Sequence, residues 1–313
     1  MKLETLNKTF RANGKLYLAG EYTVLDGGLS FAIPTKLGQT LEVEYLENSE
    51  KPKLIWEAFL HDKSLWFSAE FDLNSLSVLN ASNEKLTRKL KELFWAIEKL
   101  NPNFFKNQTR NIHCKTQLEF PKEWGLGSSS TLIYLLAKFA QVDEFELSDL
   151  TFKTSGYDVA CASRNTPIYY QILENTRKIE PVNFRPDFRN QLYFVYLNQK
   201  QDTQIGVSKQ YKSKPKNEKL VQEISILTRK MVESTSLQEF ESLVEAHENL
   251  LSKHMEVAKV KDLYFADYAG SVKSLGAWGG DFVMVTERDN FRNYFESKGY
   301  HTIFSYDEMM IQN

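Results

Sequence analysis

The stretch 121–140, PKEWGLGSSSTLIYLLAKFA, sets two glycines and three hydroxyl side chains against an apolar helical run. Gly125 and Gly127 lack a Cβ, so their backbone can take positive φ and approach a ligand closely. A helix starting near Ser129 points unpaired N–H groups outward with positive partial charge, which suits an anion. The hydroxyls of Ser128, Ser129 and Ser130 could cap that helix, hold a phosphate oxygen or ligate a magnesium ion. No Gly-x-x-x-x-Gly-Lys-Ser/Thr string is present. Spacing alone leaves a capped helix and a phosphate seat both open.

Three further stretches carry reactive or ligand-binding groups. NGKLYLAGEYTVLDGG (13–28) puts Lys15 at the start of a strand and Gly20–Glu21 at its far end, which in isolation reads as surface and turn. TSGYDVACA places Asp158 after Ser155–Gly156 and before an apolar stretch; a carboxylate there is commonly a helix cap, otherwise a buried catalytic group. KSLGAWGGDF (273–282) sets three glycines before a strand, either as a tight turn or as a loop where Gly279–Gly280 lets backbone near a ligand. His247 and His254 lie seven apart near Glu245 and Glu248, poor spacing for one metal, and read as a solvated or partly buried helical face.

The elements that must position these groups alternate irregularly. Strands are expected over 15–25 and 29–46 with a turn at 26–28, then in KLIWEAF and SLWFSAEF. Leu86, Leu90, Leu93, Ile97 and Leu100 recur at helical spacing over 83–100, and Asn-Pro-Asn at 101–103 ends that helix. A strand over 111–120 leads into Pro121, and the helix at about 129–141 follows. Beyond 190 the pattern predicts strands at 191–197 and 281–287, helices at 217–233, 237–254 and 262–274, then a helix in NFRNYFESK and a strand in HTIFSY. The prolines and charges of 183–190 lack periodicity and mark the candidate boundary. The fold class is α+β in two packed lobes, 1–185 and 186–313.

Composition narrows the class. Apolar residues are 42% of 313, enough for a sizeable core, and the net charge of −2 gives no basic field for a dedicated nucleic-acid binder. Two cysteines without a CxxC pair argue against a disulfide framework or a zinc site. The first twenty residues lack a signal-peptide core and no stretch is long enough to span a bilayer, so a soluble, cytoplasmic protein is expected without membrane or nucleic-acid partners.

Taken together and in order, the four stretches resemble the GHMP small-molecule kinases: galactokinase, homoserine kinase, mevalonate kinase, phosphomevalonate kinase and relatives. The matching residues are Lys15 with Gly20–Glu21, Pro121 through Ser129, Ser155–Gly156–Tyr157–Asp158, and Lys273 through Gly280. The resemblance implies a ribosomal-protein-S5-domain-2-like N-terminal lobe that binds ATP and a ferredoxin-like C-terminal lobe. It further implies Lys15 and Asp158 as catalytic residues, and Gly125, Leu126, Gly127, Ser128, Ser129 and Ser130 at the ATP phosphates. Ser129 would hold Mg²⁺, and Glu21, Ser155, Gly156, Lys273, Gly279 and Gly280 would meet the substrate, with Arg164 as a further cation.

Tyr22 in GKLYLAGEY, the string SGYDVACA and Asp281 after Gly279–Gly280 lean towards the phosphomevalonate kinase branch. Trp278 stands where the family prefers glycine, and its indole is expected to wall the cleft. The family's magnesium carboxylate has no clear counterpart in DEFELSDLTFKT. The expected activity is ATP-dependent phosphorylation of phosphomevalonate, by a monomer or homodimer. The alternatives are a mevalonate or other small-alcohol kinase, a diphosphomevalonate decarboxylase, or a catalytically silent nucleotide-binding homologue.

Overall fold

A computed structural model describes residues 7–152, 154–174, 176–199, 211–276, 278 and 280–311. The backbone gathers into two compact units that interleave along the chain. One comprises residues up to Gly14, Leu37–Lys122 and Leu126–Ser163; the other comprises Lys15–Lys36, Glu123–Gly125 and the chain from Arg164 onward. The sequence places a single boundary at 185/186, whereas both flanks of that point belong to the second unit.

In the first unit, the distal part of β2 (Ser30–Asn48) pairs antiparallel with β6 (Arg110–Leu118), from Gln39 opposite Leu118 to Tyr45 opposite Ile112. β6 runs parallel to β3 (Lys53–Phe59), β3 forms a hairpin with β4 (Leu65–Asp72), and β5 (Val78–Ala81) pairs along β4. Every second residue of β3, namely Leu54, Trp56 and Ala58, is buried, as a strand with one covered face requires. The cover is helical: α1 (Glu84–Leu100) packs on α2 (Ser128–Ala140) and α3 (Glu144–Thr151), and α2 packs on α4 (Tyr157–Ala162). Leu90, Leu93, Phe94 and Ile97 of α1 and Ile133, Leu136 and Ala137 of α2 meet the sheet residues in one apolar core. Asn83 caps α1 by accepting the Leu86 N–H, and Asp143 caps α3.

In the second unit, the start of β2 pairs with β7 (Ile168–Leu173), which forms a hairpin with β8 (Thr176–Pro181). A separate antiparallel sheet has the order β10 (Val272–Ser274), β11 (Phe282–Thr286), β9 (Leu192–Tyr196), β12 (Ile303–Ser305). Helices α5 (Glu218–Glu233) and α6 (Leu237–Met255) lie between β9 and β10 in the chain, and α8 (Phe291–Ser297) lies between β11 and β12. Read in chain order the sheet is 4-1-3-2 with β-α-β-β-α-β connectivity, the ferredoxin-like arrangement.

Two elements differ from the sequence pattern. The strand expected over 15–25 is β1 (Lys8–Ala19), which stops before Gly20; Thr23–Asp26 forms a 3-10 turn, entered through Tyr22 at φ 64°. The helix expected over 262–274 is only α7 (Val260–Tyr264), after which the chain turns into β10. Gly270 marks the reason: a Cβ there would lie 2.6 Å from the Thr286 carbonyl oxygen, so the backbone is drawn against β11 instead of winding on.

Candidate functional site

The glycine-rich turn leads directly into α2. The N-cap of α2 is Gly127 at φ 93°, a residue with no side chain to accept from the first turn. The Ser130 hydroxyl donates back to the Gly127 carbonyl at 2.8 Å, and the Thr131 hydroxyl donates to Gln39 Oε1 at 2.6 Å. Ser129 is exposed, and its hydroxyl has no hydrogen-bond partner among the described residues. Ser128, Ser129 and Ser130 are the first three residues inside α2, so none of them stands at the N-cap position from which a side chain caps a helix. Here α2 instead presents an uncapped, partially positive end beside an exposed hydroxyl, chemistry suited to an anion.

The second helix of interest, α4, begins the same way. Gly156 is its N-cap at φ 90°, again without a side-chain cap, and Asp158 stands half-buried in the first turn. Because α4 packs on α2, the Ser155–Asp158 turn and the glycine turn are carried by one pair of helices in one core.

In the second unit, Lys15 is half-buried on β1 and its ammonium donates to the Gly125 carbonyl at 3.2 Å. Gly125 has φ 66°, and a Cβ there would meet the Asp281 carboxylate at 2.1 Å. Only glycine fits that position.

Lys273 and Glu21, expected to meet substrate, are brought together but not at a surface. Lys273 is 1% exposed and its ammonium donates to Glu21 Oε1 (3.0 Å), Glu248 Oε1 (3.2 Å) and the Ser274 carbonyl (3.1 Å). An ammonium has three donors, and all three are taken. The expectation that Lys273 holds a substrate's anionic end is thereby corrected, as is that for Glu21, which is 4% exposed and turned to the same lysine. His247, wholly buried, completes the group by accepting the Gly20 N–H at Nε2 over 3.2 Å. Three buried side-chain atoms here make no hydrogen bond: Glu21 Oε2, His247 Nδ1 and the Ser274 hydroxyl.

Burial pushes Glu248 up to about 7 against the pull of Lys273, and raises Glu21 in the same way. Burial and the neighbouring ammonium hold His247 well below the usual imidazole range, so it is neutral. Burial disfavours the Lys273 ammonium, but the two carboxylates more than offset this and its pKa is raised.

The third glycine loop is packed from within. Trp278, expected to wall a cleft, is 6% exposed in a core cluster with Tyr22, Tyr211 and Leu251; its backbone N–H donates to the Tyr22 hydroxyl at 2.8 Å. Gly280 is buried, and Gly279 lies outside the described residues.

Among solved structures the chain resembles Methanococcus jannaschii mevalonate kinase at 17% identity and TM-score 0.68, over 100% of both chains. Streptococcus pneumoniae phosphomevalonate kinase in complex with phosphomevalonate and AMPPNP aligns over 95% of this chain and 99% of its own, with 16% identity and TM-score 0.68. Lactococcus lactis galactokinase complexed with galactose aligns over 98% and 94%, with 16% identity and TM-score 0.65. The fold is that of the GHMP kinases. No family model and no curated protein matches the sequence. At these identities the GHMP kinase fold is what is shared.

Sequence reasoning did not single out Glu248 or His247 as parts of a buried cluster. The signal was available: Phe240, Val244, His247, Leu251 and Met255 recur every three or four residues along α6, so a histidine and its neighbouring glutamate fall on its apolar stripe. Trp124 and the contact of Asp281 with Gly125 were also missed, and no local pattern announces them.

Proposed function

We propose that the chain is an ATP-dependent small-molecule kinase with phosphomevalonate as its first candidate acceptor. The single observation that carries the reading is the uncapped start of α2 at Gly127, with an exposed Ser129 hydroxyl beside it. In this reading the backbone around Gly125–Ser130 receives the ATP phosphates. Lys15 faces the transferring group, favouring the oxyanion and offsetting charge as it builds up. Asp158 orients the attacking oxygen or takes its proton. That oxygen bonds to the terminal phosphorus of ATP while the bond to the bridging oxygen breaks, and ADP leaves with the electron pair.

The residues fit magnesium arriving with the nucleotide. Among the described residues no group of three or more His, Cys, Asp or Glu side chains is arranged for a metal, so ligands would come from phosphate oxygens, water and the free Ser129 hydroxyl. Bound there, the ion would neutralise charge on the phosphates.

One observation favours a second acceptor. A phosphomonoester needs cationic clamping, and Lys273 has no donor left for it. Mevalonate, with a hydroxyl nucleophile, makes less demand on such a clamp and more on Asp158. Coupled ADP release with ATP and Mg²⁺, run on phosphomevalonate and mevalonate in parallel, separates the two. Release of CO₂ from diphosphomevalonate would instead identify a decarboxylase. Absence of nucleotide binding would end the kinase reading altogether.

A further inference from the structure

Each residue of the short segment Glu123–Gly125 is held from the β9–β11–β12 sheet. The Tyr196 hydroxyl donates to the Glu123 carbonyl at 3.4 Å. The Trp124 indole lies against Tyr196, Phe282 and Phe304, with centroids 6.0, 5.6 and 5.3 Å away. The contacts with Phe282 and Phe304 are edge-on, which fixes the ring's orientation as well as its burial.

Asp281 does the same for Gly125 by an unusual route. It has φ 56°, a left-handed conformation uncommon for residues other than glycine, while its backbone is tied to the end of β9. Its N–H donates to the Gln199 carbonyl at 2.9 Å, and its carbonyl accepts the Leu197 N–H at 2.8 Å. Asp281 directly precedes β11 and is 9% exposed. The carboxylate occupies the space a side chain on Gly125 would need: from an ideal Cβ, Oδ2 would be 2.1 Å and Cγ 2.3 Å away. The same Gly125 residue presents its carbonyl to the Lys15 ammonium. Backbone strain at a residue that touches a ligand-binding loop points to a role in shaping that loop.

We infer that Asp281 is a positioning residue: by filling the Cβ side of Gly125 it holds that carbonyl where it fixes the Lys15 ammonium. The inference rests on the kinase reading for its consequence in turnover, but not for its consequence in geometry. Removing the carboxylate leaves Gly125 with room to rotate, and the Lys15 amine loses a fixed acceptor. Asparagine keeps the shape and so keeps the loop.

The test measures the rate at which an amine-acetylating reagent modifies Lys15 in the full-length protein, read by peptide mass spectrometry, in wild type, Asp281→Ala and Asp281→Asn. Asp281→Ala is expected to raise Lys15 labelling about tenfold, the fold-change of losing one hydrogen bond from a charged donor. Asp281→Asn should stay near wild type. With an active acceptor, Asp281→Ala should lower kcat about 10- to 100-fold while the KM for ATP holds, the pattern of misplacement rather than lost binding. If Asp281→Ala melts below the assay temperature, Gly125→Ala is read by the same criterion, since its Cβ would expel the carboxylate. Wild-type labelling in a folded Asp281→Ala or Gly125→Ala protein overturns the inference. Raised labelling in a protein whose wild type phosphorylates nothing leaves the positioning intact and removes the kinase reading alone.

Discussion

Replacing Glu248 by glutamine tests the buried cluster through its pH dependence. In the fold Glu248 titrates at about 7, against an ordinary 4.5, because burial resists its ionisation more than Lys273 favours it. A group raised in the folded state stabilises fully below its unfolded pKa, and that contribution is lost as pH climbs through the folded value. The window is therefore pH 4.5 to 7. At 1.36 kcal/mol per pKa unit the loss comes to about 3 kcal/mol. His247 has the opposite sense, since its pKa is depressed and its contribution fades as pH falls below the ordinary imidazole value, but it is present in both proteins and cancels in the comparison. Glutamine does not titrate. Relative to wild type, Glu248→Gln should gain about 3 kcal/mol as pH rises across that window, or roughly 6–12 °C in Tm for a unit of this size. Thermal melts of both proteins from pH 5 to 8 provide the measurement. A Tm difference that stays constant over that range would refute the raised Glu248 pKa.

Three other outcomes follow from the same geometry. Lys273→Met strips both carboxylates of their common partner and should cost about 3–5 kcal/mol by denaturant titration, part of which Lys273→Met/Glu248→Gln should restore. Gly127→Val puts a β-branched residue at φ 93° on the glycine turn; calorimetry should find nucleotide affinity reduced, and unchanged affinity would speak against that turn as the proposed ATP site. Lys15→Met and Asp158→Asn should each lower turnover by about 10²–10⁴ while ATP affinity persists, and near-normal turnover in Asp158→Asn would eliminate it as a base.

What could be read from the sequence was what depends on neighbours in the chain. Gly127 and Gly156 each precede a helix at positive φ, and a glycine before a helical run is visible locally. The helices over 84–100, 218–233 and 237–255 lie within a residue of their expected bounds because their apolar spacing needs no distant partner. The buried cluster was hidden because Lys273 meets Glu21 across 252 positions and Glu248 across 25. A lysine in a glycine-rich loop looks available until those partners are placed. The expected helix over 262–274 failed for a similar reason, since Thr286 draws Gly270 towards β11 and no local residue reveals it.

The interleaving of the compact units has a practical consequence for dissecting the protein. The polypeptide changes unit at 14/15, 36/37, 122/123, 125/126 and 163/164. A fragment starting at residue 186 would lack Glu21, and with it one of the two carboxylates that Lys273 needs inside its core. Such a piece would leave Lys273 with Glu248 as its single carboxylate partner and should be less stable than the whole chain. Neither half is a portable module, and splitting the protein for separate study would require rejoining segments in a new order rather than one cut.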